Sequence, residues 1–279
     1  MSKRALFVHA HPDDETINNG ATMAQMVEDG VVVTLITCTR GEEGEVLVPE
    51  LSHLASNAED KLGNHRVTEL ANAMKELGVK DHRFLGDYRD SGMMDTPPNQ
   101  NPDCFWRADV EAAAKKLAAI IDEIKPQVMV TYDENGGYGH PDHIQTHRVA
   151  MRASEIANWQ IQKIYWNIMP KSVVQRGMDA MKAQGSDFFG AENVDELPFV
   201  KDDSFVSAVI HAPNQVEKKM AAMKAHATQI SLDGPFFALS NNLGVQVFGD
   251  EYYTLVKGEK AGPFNTDNLE TDLFAGIAI

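Results

Sequence analysis

Short apolar runs alternate with segments of helical periodicity through the first 170 residues. Ala5-Leu6-Phe7-Val8, Val31-Val32-Val33-Thr34-Leu35-Ile36-Thr37-Cys38, His82-Arg83-Phe84-Leu85, Val128-Met129-Val130-Thr131-Tyr132 and residues 161–168 read as strands. The second run is apolar on both faces, as a central strand must be when helices cover both sides of a parallel sheet. Between the strands, residues 17–29, 54–77, 108–124 and 143–157 carry apolar side chains at helical spacing, with Gly30, Gly78 and Pro126 as stops. In 108–124, Val110, Leu117, Ile120, Ile121 and Ile124 share one side. This alternation predicts an α/β fold with a Rossmann-like, mostly parallel sheet flanked by helices.

The pattern loosens past Pro170. Helices at 171–184 and 214–228 and strands at 204–211 and 252–256 stay legible around an acidic, aromatic stretch at 185–203. This portion, 171–279, reads as a C-terminal α+β cap over the carboxyl edge of a core formed by 1–170. No linker rich in Gly, Ser or Pro separates the two, so they are expected to fold together. No repeat or low-complexity tract is visible.

Polar residues concentrate after the first and fourth strands, as His11-Pro12-Asp13-Asp14-Glu15 and Gly136-Gly137-Tyr138-Gly139-His140-Pro141-Asp142-His143. In a doubly wound sheet those strands are neighbours at the switch point, where ligands bind at the carboxyl ends. Three consecutive carboxylates repel unless a positive charge sits among them; the plainer alternative is a helix N-terminus favoured by the macrodipole. His11, Asp14 and His143 make a two-histidine, one-carboxylate set with a fourth position left for water, as in catalytic zinc sites, and iron(II) suits the same donors. One such ion per chain is expected. His147 shares a face with His143 and is read as a supporting or packing histidine. No G-x-G-x-x-G follows the first strand, which argues against a dinucleotide.

The two His-Pro-Asp motifs together resemble the LmbE-like (PIG-L) superfamily of zinc-dependent N-deacetylases, which hydrolyse acetyl groups from N-acetylglucosamine derivatives. Thr39-Arg40-Gly41-Glu42-Glu43-Gly44-Glu45, Tyr88-Arg89-Asp90-Ser91-Gly92-Met93 and Phe237-Ala238-Leu239-Ser240-Asn241-Asn242 are similar to the branch acting on the N-acetylglucosaminyl-inositol precursor of mycothiol. The resemblance implies Asp13 as general base beside ligand Asp14. His140, protonated, would stabilise the oxyanion or protonate the leaving amine, with Asp142 holding its tautomer. Tyr138, on a glycine-flanked loop, would also touch the oxyanion. Glu15 is read as a cap of the following helix.

Three residues are candidates for substrate contact. Arg66 reads either as an exposed ion-pair cation or as a cleft residue; the resemblance favours the second. Asp90 reads either as an acceptor for a vicinal diol or as an Asx-turn residue. Asn18 lies in the interval Thr16-Ile17-Asn18-Asn19, where related amidases that cleave thiol conjugates of the same pseudo-disaccharide carry a lysine. The resemblance thus favours the deacetylase over the amidase or another N-acetylglucosaminide deacetylase.

Charge narrows the partners. Forty-one acidic against 25 basic residues give a net charge of −16, which disfavours nucleic acid and anionic membranes and fits a small, neutral N-acetylated sugar. No apolar run approaches the roughly 20 residues of a membrane helix, and Met1-Ser2-Lys3-Arg4 leads straight into a strand, unlike a signal peptide. Cys38 and Cys104 form neither a zinc pattern nor a disulfide framework. A cytoplasmic enzyme of open oligomeric state is expected; 279 residues at 43% hydrophobic content suffice for one large α/β domain with a smaller cap.

Overall fold

Strand β1 (Arg4–His9) lies inside the sheet because both of its faces are apolar: Ala5 and Phe7 enter one core, Leu6 and Val8 the other. The computed structural model describes residues 2–183, 185, 191–231 and 249–278. After β1 come α1 (Asp14–Glu28), β2 (Val32–Thr37), α2 (Leu62–Leu77), β3 (Asp81–Phe84), α3 (Val110–Ile124), β4 (Val128–Thr131), α4 (Pro141–Ile156) and β5 (Lys163–Pro170). The remainder supplies α5 (Lys171–Ala183), the two-residue β6 (Val200–Lys201), β7 (Ala208–His211), α6 (Val216–Ala225) and β8 (Asp250–Lys257). The sheet runs β3-β2-β1-β4-β5-β8-β7, parallel from β3 to β5, with β8 antiparallel to both β5 and β7.

Helices cover both faces, as the twice-apolar strands require. Ala21, Met23, Leu70 and Met74 of α1 and α2 pack with Phe7 and Leu35; Leu117, Ile121, Val149 and Ala153 of α3 and α4 pack with Leu6 and Ile36. Phe7 is wholly buried, so Phe7→Ala would cost about 3–5 kcal/mol. Local chemistry sets the helix ends. Asp109 caps α3 by accepting from the Ala112 amide at 2.7 Å, and Gly78 closes α2 in the left-handed conformation.

Several boundaries differ from the sequence reading. Helix α2 begins at Leu62 rather than at 54, because Pro49 opens a 3-10 turn over Pro49–Leu54 and Asp60 reverses the chain at φ 55°. Strand β7 begins at Ala208 because Asp202 accepts from the Ser204 amide and fixes a turn over Asp203–Phe205. Residues 226–228, expected in the last helix, leave it after Ala225.

The portion expected as a cap is integrated with the sheet. Ala208, Ile210, Ala222 and Tyr253 belong to the same apolar core as Phe7, and α6 packs against α1 and α2. A separate small cluster joins Val174, Met178 and Met181 of α5 to Val194 and Leu197. The Phe237–Asn242 stretch lies outside the described residues. Among the described residues no helix is long and apolar enough to cross a membrane.

Candidate metal centre and active site

β1 and β4 are hydrogen-bonded neighbours, with Ala5 opposite Val128 and Phe7 opposite Val130. Their carboxyl-end loops therefore meet, and α1 and α4 start from those loops. Gly136 must be glycine: it sits at φ 61° and a Cβ there would lie 2.5 Å from the His143 Cβ.

Three donor atoms converge between the loops. His11 Nδ1 lies 3.4 Å from Asp14 Oδ2, His143 Nε2 lies 3.3 Å from the same oxygen, and the two ring nitrogens are 3.3 Å apart. Ligand bonds of about 2.0–2.1 Å at tetrahedral angles separate their donors by about 3.3–3.4 Å, so this triangle has the shape of one face of a zinc site. The outer partners complete the fit. His143 Nδ1 donates to the Gly136 carbonyl at 3.1 Å, and His11 Nε2 to Asp142 Oδ2 at 3.2 Å, which leaves Nε2 of one ring and Nδ1 of the other to face the triangle. The Tyr132 ring stacks on His143 with centroids 4.3 Å apart, and the His11 amide donates to Asp14 Oδ2 at 2.9 Å.

Two other trios, His11-His140-His143 and His11-Asp90-Asp142, also bring their donor atoms within 4.8 Å of one another. They are less apt, because those residues are engaged elsewhere. His140 Nδ1 accepts from the Asp142 amide; Asp142 accepts from the Ser91 amide and hydroxyl; Asp90 accepts from the Gly92 and Glu43 amides.

The electrostatics of the triangle suit a cation. Burial opposes ionisation of Asp14, yet the His143 and His11 imidazoles outweigh it and hold the carboxyl well below the usual range. Burial likewise opposes a charge on His11, but Asp90, Asp14 and Asp142 raise it well above an ordinary histidine. A site that draws a proton onto His11 is one where a divalent cation competes for the same ring.

Asp13 stands beside the triangle in a strained backbone, φ 121° and ψ −34°, a conformation that costs a non-glycine residue about 1–3 kcal/mol. Burial pushes its carboxyl up to about 6, with Arg66 pulling the other way. Arg66 Nη2 donates to Asp13 Oδ2 at 3.1 Å, so the other carboxylate oxygen carries no arginine contact.

Of the other expected site residues, some are placed as the sequence reading had them and some differently. Arg66 is 3% exposed rather than a surface cation, and its guanidinium donates to the carbonyls of Gly41 and Pro12 and to Asp13. A Cβ on Gly41 would fall 1.9 Å from Arg66 Nη1, so residue 41 is glycine for that contact. Asp90 is 3% exposed and closes the Asx turn to Gly92, because the loop's own amides reach it first. Asn18 donates to the Asp14 carbonyl within α1. The Asp142 carboxylate supports His11 rather than His140; only its amide touches His140. Burial, then the His11 and His143 rings, push the His140 imidazole down to about 2, which favours the neutral ring over the protonated one expected from the sequence. With Nδ1 accepting, its proton is assigned to Nε2. Tyr138 is 39% exposed on the rim, its ring 4.9 Å from that of His143. Glu15 is wholly buried; it accepts from the Asp13 amide at the start of α1 and also pairs with His226. His147 donates to the Tyr132 carbonyl and packs on Trp166.

The sequence reading missed Ser91, Tyr132, His9 and His226. Tyr132 accepts from the Ala10 amide and lies 3.1 Å from His9 Nδ1, and His9 in turn bonds Asn19. Tyr132 was legible as a strand residue, but nothing local told that its hydroxyl reaches β1. An open groove of about 540 Å³ beside Glu42, Tyr88, Arg89 and Lys116 touches none of the triangle's residues, so the chemistry is not sited there.

The family model of GlcNAc-PI de-N-acetylase (PIG-L) matches residues 6–154. The chain is similar to 1D-myo-inositol 2-acetamido-2-deoxy-alpha-D-glucopyranoside deacetylase of Geodermatophilus obscurus, 55% identical over 99% of this chain and 98% of the relative. Its counterpart in Catenulispora acidiphila is 54% identical over 100% of this chain and 90% of the relative. Among solved structures, N,N'-diacetylchitobiose deacetylase from Pyrococcus horikoshii aligns with a TM-score of 0.58 at 20% identity, over 92% of this chain and 85% of that one. A deacetylase of the teicoplanin biosynthesis pathway also gives 0.58 at 20% identity, over 93% of this chain and 100% of that one; at such identity the likeness is one of fold.

Proposed function

The chain belongs to the GlcNAc-PI de-N-acetylase (PIG-L) family, and we propose that it hydrolyses the acetamide of 1D-myo-inositol 2-acetamido-2-deoxy-alpha-D-glucopyranoside, releasing acetate and the free amine, with a zinc ion held by His11, Asp14 and His143. The observation that carries the chemistry is the donor triangle of 3.3–3.4 Å beside a carboxylate that is not part of it. The substrate follows from full-length relatives at 54–55% identity that bear that activity. When bound, zinc supplies Lewis acidity that activates water and polarises the amide carbonyl.

The protein's own groups do the rest. Asp13, through the oxygen not held by Arg66, takes the proton of the attacking water and passes it to the leaving nitrogen. Its carboxyl at about 6 is ionised at neutral pH while remaining a competent proton carrier. Neutral His140 donates from Nε2 to the developing oxyanion, which requires no positive charge on the ring. Tyr138, whose hydroxyl burial holds above its ordinary pKa, stays protonated and is a second donor at the rim. The acidic surface favours a neutral sugar over a polyanion.

Acetate release tests the reading, with metal-stripped protein reloaded with zinc or iron(II). The expected result is metal-dependent release from the inositol-linked substrate, faster than from free N-acetylglucosamine. Faster cleavage of a thiol conjugate of the same pseudo-disaccharide would make the enzyme an amidase instead, and full activity without metal would remove the triangle from the mechanism.

A further inference from the structure

The base does not hold its own position. Asp13 is at φ 121°, and the groups that keep it there come from three parts of the chain. Its carbonyl accepts from the Thr16 and Ile17 amides, both at 3.0 Å, and its carboxylate takes Arg66 of α2. Its amide donates to Glu15 Oε2 at 3.0 Å. Glu15 Oε1 in turn accepts from the Thr16 hydroxyl at 2.6 Å and from His226 Nε2 at 2.8 Å.

His226 lies 211 residues further along the chain, just past α6, and is wholly buried, as is Glu15. Its neighbours in sequence make a clamp. Thr228 donates from its amide and hydroxyl to Glu69 of α2 at 2.8 and 2.7 Å, and the Gln229 amide group donates to the Glu45 carbonyl at 3.1 Å. The Leu47 amide donates to the Thr228 carbonyl at 2.9 Å. Residues 226–229 thus tie together the first turn of α1, the helix that carries Arg66, and the acidic loop after β2. No contact joins His226 to His11, Asp14 or His143 among the described residues.

We propose that His226 is a positioning residue for the hydrolysis: through Glu15 it holds the Asp13 backbone in the left-handed conformation that presents the free carboxylate oxygen to the reaction. The inference rests on Asp13 being the base. A leucine at 226 removes the donor to Glu15 and leaves a buried carboxylate short of one partner, which frees Glu15 to turn from the Asp13 amide. Metal binding should survive, because His143 is anchored through Gly136, His11 through Asp142, and the Asp14 carboxylate through the His11 amide, none of which touches His226.

The experiment uses the full, zinc-loaded chain and the inositol-linked substrate, with acetate release, metal content and thermal melting read together. His226→Leu should keep one zinc and change KM by less than about 3-fold, while kcat falls about 10–100-fold. His226→Gln, whose amide can still donate to Glu15, should recover most of kcat; His226→Asn, one methylene shorter, should not, and this pair carries the test if the leucine variant fails to fold. In an Asp13→Ala background, His226→Leu should change the residual rate by less than about 2-fold, since the residue it serves is gone. Equal proportional losses in both backgrounds, or zinc lost with activity, would overturn the inference and leave the base assignment standing. An Asp13→Ala enzyme with normal turnover would remove the base assignment itself, and the inference with it.

Discussion

Lys163 and Glu270 bury their charges beside β5, and Asp14, Asp90 and Asp142 bury theirs beyond the ends of β1 and β4. The two regions manage them in opposite ways. Lys163 donates to Glu270 at 2.6 Å, Tyr165 donates to the other oxygen at 2.8 Å, and the Ala261 amide adds a third bond. That carboxylate is matched within the protein. In the other region the ion-pair partners of Asp14, Asp90 and Asp142, among the described residues, are imidazoles alone. Structural ion pairs are closed, because an unmatched buried charge costs several kcal/mol. A cluster left open to a further cation marks a functional site.

Breaking the open region has the largest expected effect. Asp14→Ala or His143→Ala removes one corner of the triangle, so zinc content should fall from one per chain to near zero and acetate release with it, by at least about 10³-fold. Elemental analysis of dialysed protein checks this. Retention of stoichiometric zinc by Asp14→Ala alone would move the ligand set to the trio with His140, and retention by both variants to the trio with Asp90 and Asp142.

Asp13→Ala comes next and separates charge that binds metal from charge that moves protons. It should keep zinc, since Asp13 is not a corner of the triangle, and lose about 10²–10⁴-fold in kcat. Loss of zinc would make Asp13 part of the coordination instead.

The closed region should respond in stability and not in catalysis. Lys163→Met leaves Glu270 buried without its cation and should cost about 3–5 kcal/mol, while a Lys163→Met/Glu270→Gln double variant recovers part of that. Denaturant unfolding measures it. Turnover per folded molecule should stay within about 2-fold, and a selective fall in kcat would show that the two regions are coupled.

The contrast also explains what could be read from the chain. The parallel core was legible because Ala5 and Phe7 face one side and Leu6 and Val8 the other, a period that needs no tertiary knowledge. The loops that meet were legible because a strand ends before each His-Pro-Asp run and adjacent strands bring the runs together. Where a long polar side chain goes was not. Arg66 and Asp90 carry the right chemistry for a sugar, but Gly41, Pro12, Asp13 and the Gly92 amide lie nearer. The bond of Glu15 to the start of α1 is local and legible, whereas its pairing with His226, 211 residues away, is not. The C-terminal third looked like a cap because it joins an edge, β5, whose burial pattern is weaker than that of the central strands. Its antiparallel pairing onto β5 is set by that edge, not by its own periodicity.

The smallest expected effect lies in the pH profile, where the open region can be probed without removing a catalytic group. Burial raises the Asp13 carboxyl to about 6, Arg66 opposes that rise, and the neighbouring Asp14 charge adds to it. A base must be ionised, so kcat/KM should be level above the Asp13 pKa and fall tenfold per pH unit below it. A bound divalent cation adds a second lowering influence, so the acid limb of the zinc enzyme should sit below 6. Arg66→Met takes away one opposing charge and should shift that limb upward by about one unit; Arg66→Lys keeps the charge and should leave it nearly in place. Rates against pH for the three proteins, at matched zinc occupancy, decide the point. A limb that stays put in Arg66→Met would mean that it reports a group other than Asp13, and the carboxylate beside the triangle would lose its claim to set the acid side of the reaction.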